Sequence, residues 1–207
     1  MPIITVKNLT DWLGIADTVD DTNLSIAVAA TNDSIAGYCG RVFDKTETPS
    51  IRYFRPRSPY TVDVDDFWTT AGLIVATDAG NDGVYENTWQ AINYSVEPIN
   101  GLKGGAPWSY ETIRATRTML FPNWFVRPSV AVTASWGWAA IPDAVFNAAL
   151  IQASRIFRRK DSPEGILGSR IAAGFDAGPV RIAQRLDPDV QHLLGPYVKS
   201  STVVGIA

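Results

Sequence analysis

The sequence predicts an α+β fold with a helical core, a β-rich middle section and an extended C-terminal arm. Three observations predict it. Apolar residues in 7–40 recur at helical spacing, those in 50–137 gather in short runs broken by Pro and Gly, and 142–160 carries one continuous apolar stripe. The expected organisation is a main domain over 1–161, with its helical core at 7–40 and 142–160 and a β-rich insertion at 50–137. An arm over 162–207 follows, with a short helix at 187–194.

Residues 7–16 read as a short helix started near Asn8 or Thr10, with Leu9, Trp12, Leu13 and Ile15 as its apolar set. Asp20-Asp21-Thr22 then supplies a cap and acidic residues for a second helix over about 22–39. Leu24, Ala27, Val28, Ile35, Tyr38 and Cys39 lie broadly on one face of it, and Gly40 is a natural stop.

Strand candidates follow at 51–54, 60–64 and 73–76. Asp78-Ala79-Gly80-Asn81-Asp82-Gly83 reads as a hairpin connection leading to 84–86, because Gly and Asn tolerate the positive φ of tight turns. A calcium-loop reading of this stretch fails the EF-hand template. The third ligand position falls on Gly80 and the twelfth on Trp89. Residues 98–109, with three glycines and two prolines, read as an irregular loop; 113–125 fits no element cleanly; 130–136 is the last clear strand.

The helix over 142–160 is the expected centre of the core. Pro142 suits its first turn and Asp143 places an acid at the positive end of the dipole. Val145, Phe146, Ala149, Leu150, Ala153, Ile156 and Phe157 form the stripe, and Arg155, Arg158, Arg159 and Lys160 put cations in the last turn. Beyond Ser162-Pro163 periodicity fades into a glycine-rich stretch, as in a segment ordered by a partner. The short helix at 187–194 has Asp187 as cap, Pro188 in its first turn, Gly195 as stop, and Val190, Leu193 and Leu194 in need of cover from the chain's own core, a neighbouring subunit or another partner.

Composition narrows the function. The chain has 207 residues, 46% hydrophobic and 19% charged, enough apolar material for a core. Seven tryptophans suit a protein with large contact surfaces. A net charge of -3 and a pI near 5.1 argue against a dedicated nucleic-acid binder. The charge is uneven: 10 basic and 16 acidic residues in 1–154, against 8 and 5 in 155–207, so the C-terminal quarter is the basic end. No run approaches the ~18 apolar residues of a membrane span, and the start carries no signal-peptide pattern. The protein is therefore expected to be made in the cytoplasm without membrane attachment.

No catalytic or metal-ligating constellation stands out, and no cofactor is expected. His192 is the only histidine and lacks a Gly-x-Ser-x-Gly elbow to work with. Cys39, the only cysteine, sits on an apolar helix face and reads as an inert buried thiol. Asp63, Asp65 and Asp66 read as a solvated strand end rather than a two-metal nuclease site. Gly101-Leu102-Lys103-Gly104-Gly105 lacks the phosphate-loop pattern. The cations at 155–160 could meet DNA phosphates, though cations at a helix C-terminus are commonplace. Trp108, Trp124, Trp136 and Trp138 could form a carbohydrate-stacking platform, which strong helices at both ends disfavour.

The order of parts resembles the siphophage head-to-tail connector, or adaptor, family. Three stretches carry the resemblance. They are the Trp136-Gly137-Trp138-Ala139-Ala140-Ile141-Pro142 lead-in to the long helix, the Phe157-Arg158-Arg159-Lys160-Asp161-Ser162-Pro163-Glu164-Gly165 run leaving it, and the ending Leu186-Asp187-Pro188-Asp189-Val190 with Leu193-Leu194 and Pro196-Tyr197. The last two look like those of phages infecting actinobacteria. The resemblance implies a non-enzymatic virion protein of the neck, one subunit of a homo-oligomeric, dodecameric ring between the portal protein and a downstream neck or tail protein. Genomic DNA would pass through the ring without specific binding. A stopper or terminator ring is the neighbouring alternative, and a carbohydrate-binding module a distant one. The resemblance places the portal contact on the C-terminal arm, at Arg181, Arg185, Asp187, Val190, His192, Leu193, Leu194, Tyr197 and Lys199.

Overall fold

The computed structural model describes residues 2–116, 119–123, 127–159, 166–167, 180–181 and 186–199. The fold is α+β, as predicted. The chain divides into two compact units, one from residues 42–140 and one from residues 2–41 together with 141–207.

The first unit is built on an antiparallel sheet. Its strands are β1 (Ser50–Phe54), β2 (Thr61–Thr77), β3 (Asn87–Thr88), β4 (Tyr94–Glu97), β7 (Tyr110–Ala115) and β8 (Val130–Trp136), with β5 (Leu102–Lys103) and β6 (Ala106–Pro107) forming a separate small hairpin. The order is β1-β8-β2-β7-β4, with β3 on the end of β2. The two strands predicted at 60–64 and 73–76 are one strand. Register shifts between Asp63 and Phe67, and again between Phe67 and Ile74, let β2 bend, so that its first half pairs with β7 and its second with β8. β8 is buried on both faces along nearly its whole length, which accounts for its run of small and apolar residues. Val62, Val64, Phe67, Val75, Ile113, Val132 and Trp136 make the centre of this core.

Connections account for most of the differences from expectation. Residues 84–86 are not a strand; the ladder after the 78–83 turn forms at Asn87–Thr88, facing Ala76 and Thr77. The loop at 98–109 contains the β5–β6 hairpin, which turns at Gly104 and Gly105, both with positive φ. The unassigned stretch from 113 begins inside β7.

The second unit holds the helices. α1 (Val6–Leu13) starts earlier than expected, because Thr5 caps it reciprocally with Asn8: the Asn8 N–H donates to Thr5 Oγ1 at 3.3 Å and the Thr5 N–H to Asn8 Oδ1 at 2.8 Å. α2 (Asp21–Cys39) ends at Gly40, which takes the left-handed conformation. α3 (Asp143–Arg158) has Pro142 as its cap residue and buries Val145, Ala148, Ala149, Leu150, Ala153 and Phe157 against α1, α2 and α4 (Pro188–Leu194). β9 (Ile166–Leu167) and β10 (Val180–Arg181) pair antiparallel between α3 and α4 in sequence. Leu150 is 5% exposed, so Leu150→Ala should cost about 2–5 kcal/mol in a denaturant titration.

Candidate interaction surface

The C-terminal residues expected at a partner contact divide into two groups. α4, expected in an arm outside the core, is packed on α3. Val190 and Leu194 are fully buried there, so their apolar surface is spent inside the chain itself. Asp187 caps α4 by accepting the Asp189 N–H at 2.8 Å, and it forms an ion pair with Arg155. Downstream, the Arg41 guanidinium donates to the Tyr197 carbonyl at 2.7 Å and the Lys199 N–H to the Cys39 carbonyl at 2.8 Å. These contacts fasten 187–199 to the end of α2. Burial, with Asp143 nearby, raises the Tyr197 phenol above its ordinary range. His192 is exposed on α4 and Leu193 half-buried. The Arg181 backbone lies in β10, whereas its side chain and Arg185 fall outside the described residues.

The groups weighed as chemical candidates have structural partners. Cys39 is buried, and burial, only partly offset by the Arg41 charge, pushes its thiol up to about 11 from 9.0. A thiol-specific reagent near neutral pH should therefore label Cys39 only as the protein unfolds. The unfolded thiol ionises first, so this group's contribution to stability is complete below pH 9 and falls as pH rises from about 9 through 11. Full labelling of the folded protein would contradict this.

The three clustered aspartates disperse onto different partners. Asp63 pairs with Arg57 at 3.3 Å and Asp65 with Arg52 at 2.7 Å. Asp66, expected to be solvated, is instead buried and accepts the Trp138 indole N–H at 2.9 Å.

The 78–86 loop does bring three carboxylates, Asp78, Asp82 and Glu86, within 4.8 Å of one another. Asp82 and Glu86 fall on the fifth and ninth positions of the EF-hand template, which still lacks its ligands at the third and twelfth. The Asp78 carboxylate is already engaged, accepting the Gly83 N–H at 2.8 Å and the Asp82 N–H at 3.4 Å. The Arg127 guanidinium also donates to the Asp82 carbonyl at 3.2 Å, placing a cation on the same loop. The arrangement holds a turn together.

Among the described residues the tryptophans form no exposed platform. Trp108, Trp136 and Trp138 are buried, with Trp108 and Trp138 edge to face at 4.8 Å, and Trp124 lies outside the described residues. The large apolar side chains that do reach solvent were missed. In the helical unit they include Trp12, Val19 and Ile26. One signal could have found Ile26: it sits off the Leu24–Ala27–Val28–Ile35 face of α2, so the helix has apolar residues on more than one side.

No protein-family model matches the chain, and no curated protein matches it. Among solved structures it is similar to a chain in the neck of an empty gene transfer agent particle computed with C6 symmetry. That match has a TM-score of 0.52 and 13% identity, and covers 98% of this chain and 93% of that one. It is also similar to a chain in the virion of a native gene transfer agent particle, with a TM-score of 0.54, 15% identity and the same coverage. At these identities the likeness establishes a shared fold.

Proposed function

We propose that the chain is a structural protein of a phage-like virion neck, and within it the head-to-tail adaptor: a ring subunit that joins the portal to the tail and extends the DNA channel. The carrying observation is the fold shared along nearly the full length of both chains with a protein from a particle neck. The sixfold symmetry of that neck is compatible with a dodecameric ring here. In this reading the protein has no catalytic task, and no helix among the described residues is long and apolar enough to cross a membrane. Partners are the portal protein, a downstream neck or tail protein and further copies of the chain. DNA slides past without sequence-selective binding, which suits the acidic net charge.

The portal contact falls to exposed His192 and half-buried Leu193 of α4, together with Arg181 and Arg185 of the preceding sequence. Asp187, Val190, Leu194, Tyr197 and Lys199 support it by holding α4 and the chain after it in place. Co-expression with the cognate portal and mass measurement of the purified complex tests the adaptor role. Portal with a ring of this chain is the expected result. Association only with a tail-side protein would make it a stopper or terminator.

A further inference from the structure

We propose that the end of the helical unit where α1 runs into α2 docks on the basic end of α3 in a second copy of the chain. The proposal rests on the ring reading above and names the contact that repeats around the ring. Trp12, Val19 and Ile26 are 57%, 86% and 59% exposed. Trp12 is on the last turn of α1, Val19 in the connection and Ile26 early in α2, so the topology gathers all three at one end of two helices that pack together. Asp17, Asp20 and Asp21 flank Val19 along the chain. The Asp17 carboxylate accepts the Val19 N–H at 3.2 Å, which ties the acid and the apolar residue into one local structure. Asp11, beside Trp12, is balanced by Lys7 at 2.9 Å.

An exposed tryptophan with aliphatic neighbours and a charged rim has the composition of an interface centre rather than of ordinary surface. Its acidic rim calls for a basic partner, and the chain carries one. Arg155, Arg158 and Arg159 put three cations in the last turn of α3 and at its cap. Arg155 is engaged by Asp187, while Arg158 is exposed. The two complementary sets of residues lie on different elements of the same chain. Contact between them is heterologous, leaves a free face at each end, and closes when the rotation per subunit divides a full turn. A patch that met only itself would set acid against acid.

The test is sedimentation of the full-length protein over a range of concentrations and salt. The wild type should self-associate, more weakly as salt rises. Trp12→Ala should lower the association constant by about tenfold or more without moving the thermal melt, since the side chain is mostly in solvent. Asp17→Lys with Asp21→Lys, and separately Arg158→Glu, should each weaken association. Mixing the two charge-reversed proteins should restore one contact per pair, detected as a heterodimer. Variants that associate as tightly as the wild type, or a mixture that restores nothing, would overturn the surface and leave the ring reading standing. A wild type that stays monomeric throughout, with Trp12→Ala lost from portal complexes, would assign the patch to the portal and overturn the proposal. The ring reading is judged separately, by the particle neck itself.

Discussion

Gly137→Ala is expected to leave the β unit unfolded, at a cost of at least ~4 kcal/mol. Gly137 follows β8 with φ 95°, a region that L residues rarely adopt. Its N–H donates to the Asp66 carbonyl at 2.6 Å and its carbonyl accepts the Ser109 hydroxyl at 3.0 Å, so neighbouring segments fix its position. A methyl group there would overlap the carbonyl oxygen of Asp44 and approach the Lys45 Cα. Those are backbone atoms, and no rotamer change relieves the clash. The flanking tryptophans depend on the same geometry: the Trp136 indole donates to the Ser50 carbonyl and the Trp138 indole to Asp66, both at 2.9 Å. Gly14→Ala is the control. Gly14 also has positive φ, at 68°, but nothing lies within 4 Å of the position a Cβ would take. Its cost should be confined to the left-handed backbone, roughly 1–2 kcal/mol. Near-ultraviolet circular dichroism and a denaturant titration of both variants separate the two cases. Equal stability of the two would contradict the account.

Cutting the chain after Leu186 should destabilise the helical unit, reversing what an independent arm would imply. The cut removes Val190 and Leu194, both fully buried, and uncovers the side of α3 on which they rest. At about 1.5–3 kcal/mol for each buried apolar side chain the loss is ~3–6 kcal/mol, a large share of an ordinary domain's stability. It also takes Asp187 from Arg155 and the Tyr197 carbonyl from Arg41. A fall in melting temperature of roughly 10–20 °C is the expected reading. A melt within a few degrees of the full chain would return α4 to the arm.

Legibility in the sequence followed the strength of local signals. α3 was readable nearly to the residue, because a proline start, an acidic first turn and an apolar stripe agree with one another. α4 was readable as a helix from Asp187 and Pro188, but the sequence left open whether the chain's own core, a neighbouring subunit or the portal covers it, since its cover on α3 lies some 35 residues away in sequence. The bent β2 read as two strands because Thr69, Thr70, Ala71 and Gly72 interrupt the apolar alternation where the register shifts. The proposed docking surface was the least legible part. Trp12 has the spacing of a core residue of α1, and only the fold reveals that it faces solvent. Likewise the cluster Asp63, Asp65 and Asp66 looks like one acidic site in sequence. Three separate partners take its members in space, Arg57, Arg52 and the Trp138 indole.

Reconstruction of the neck of the intact particle by electron microscopy tests the central claim most directly. The account predicts a closed ring of this chain between the portal and the first tail component, with the channel running through it and the C-terminal region turned toward the portal. A neck in which this chain is absent, or lies outside the channel as a decoration, would contradict it.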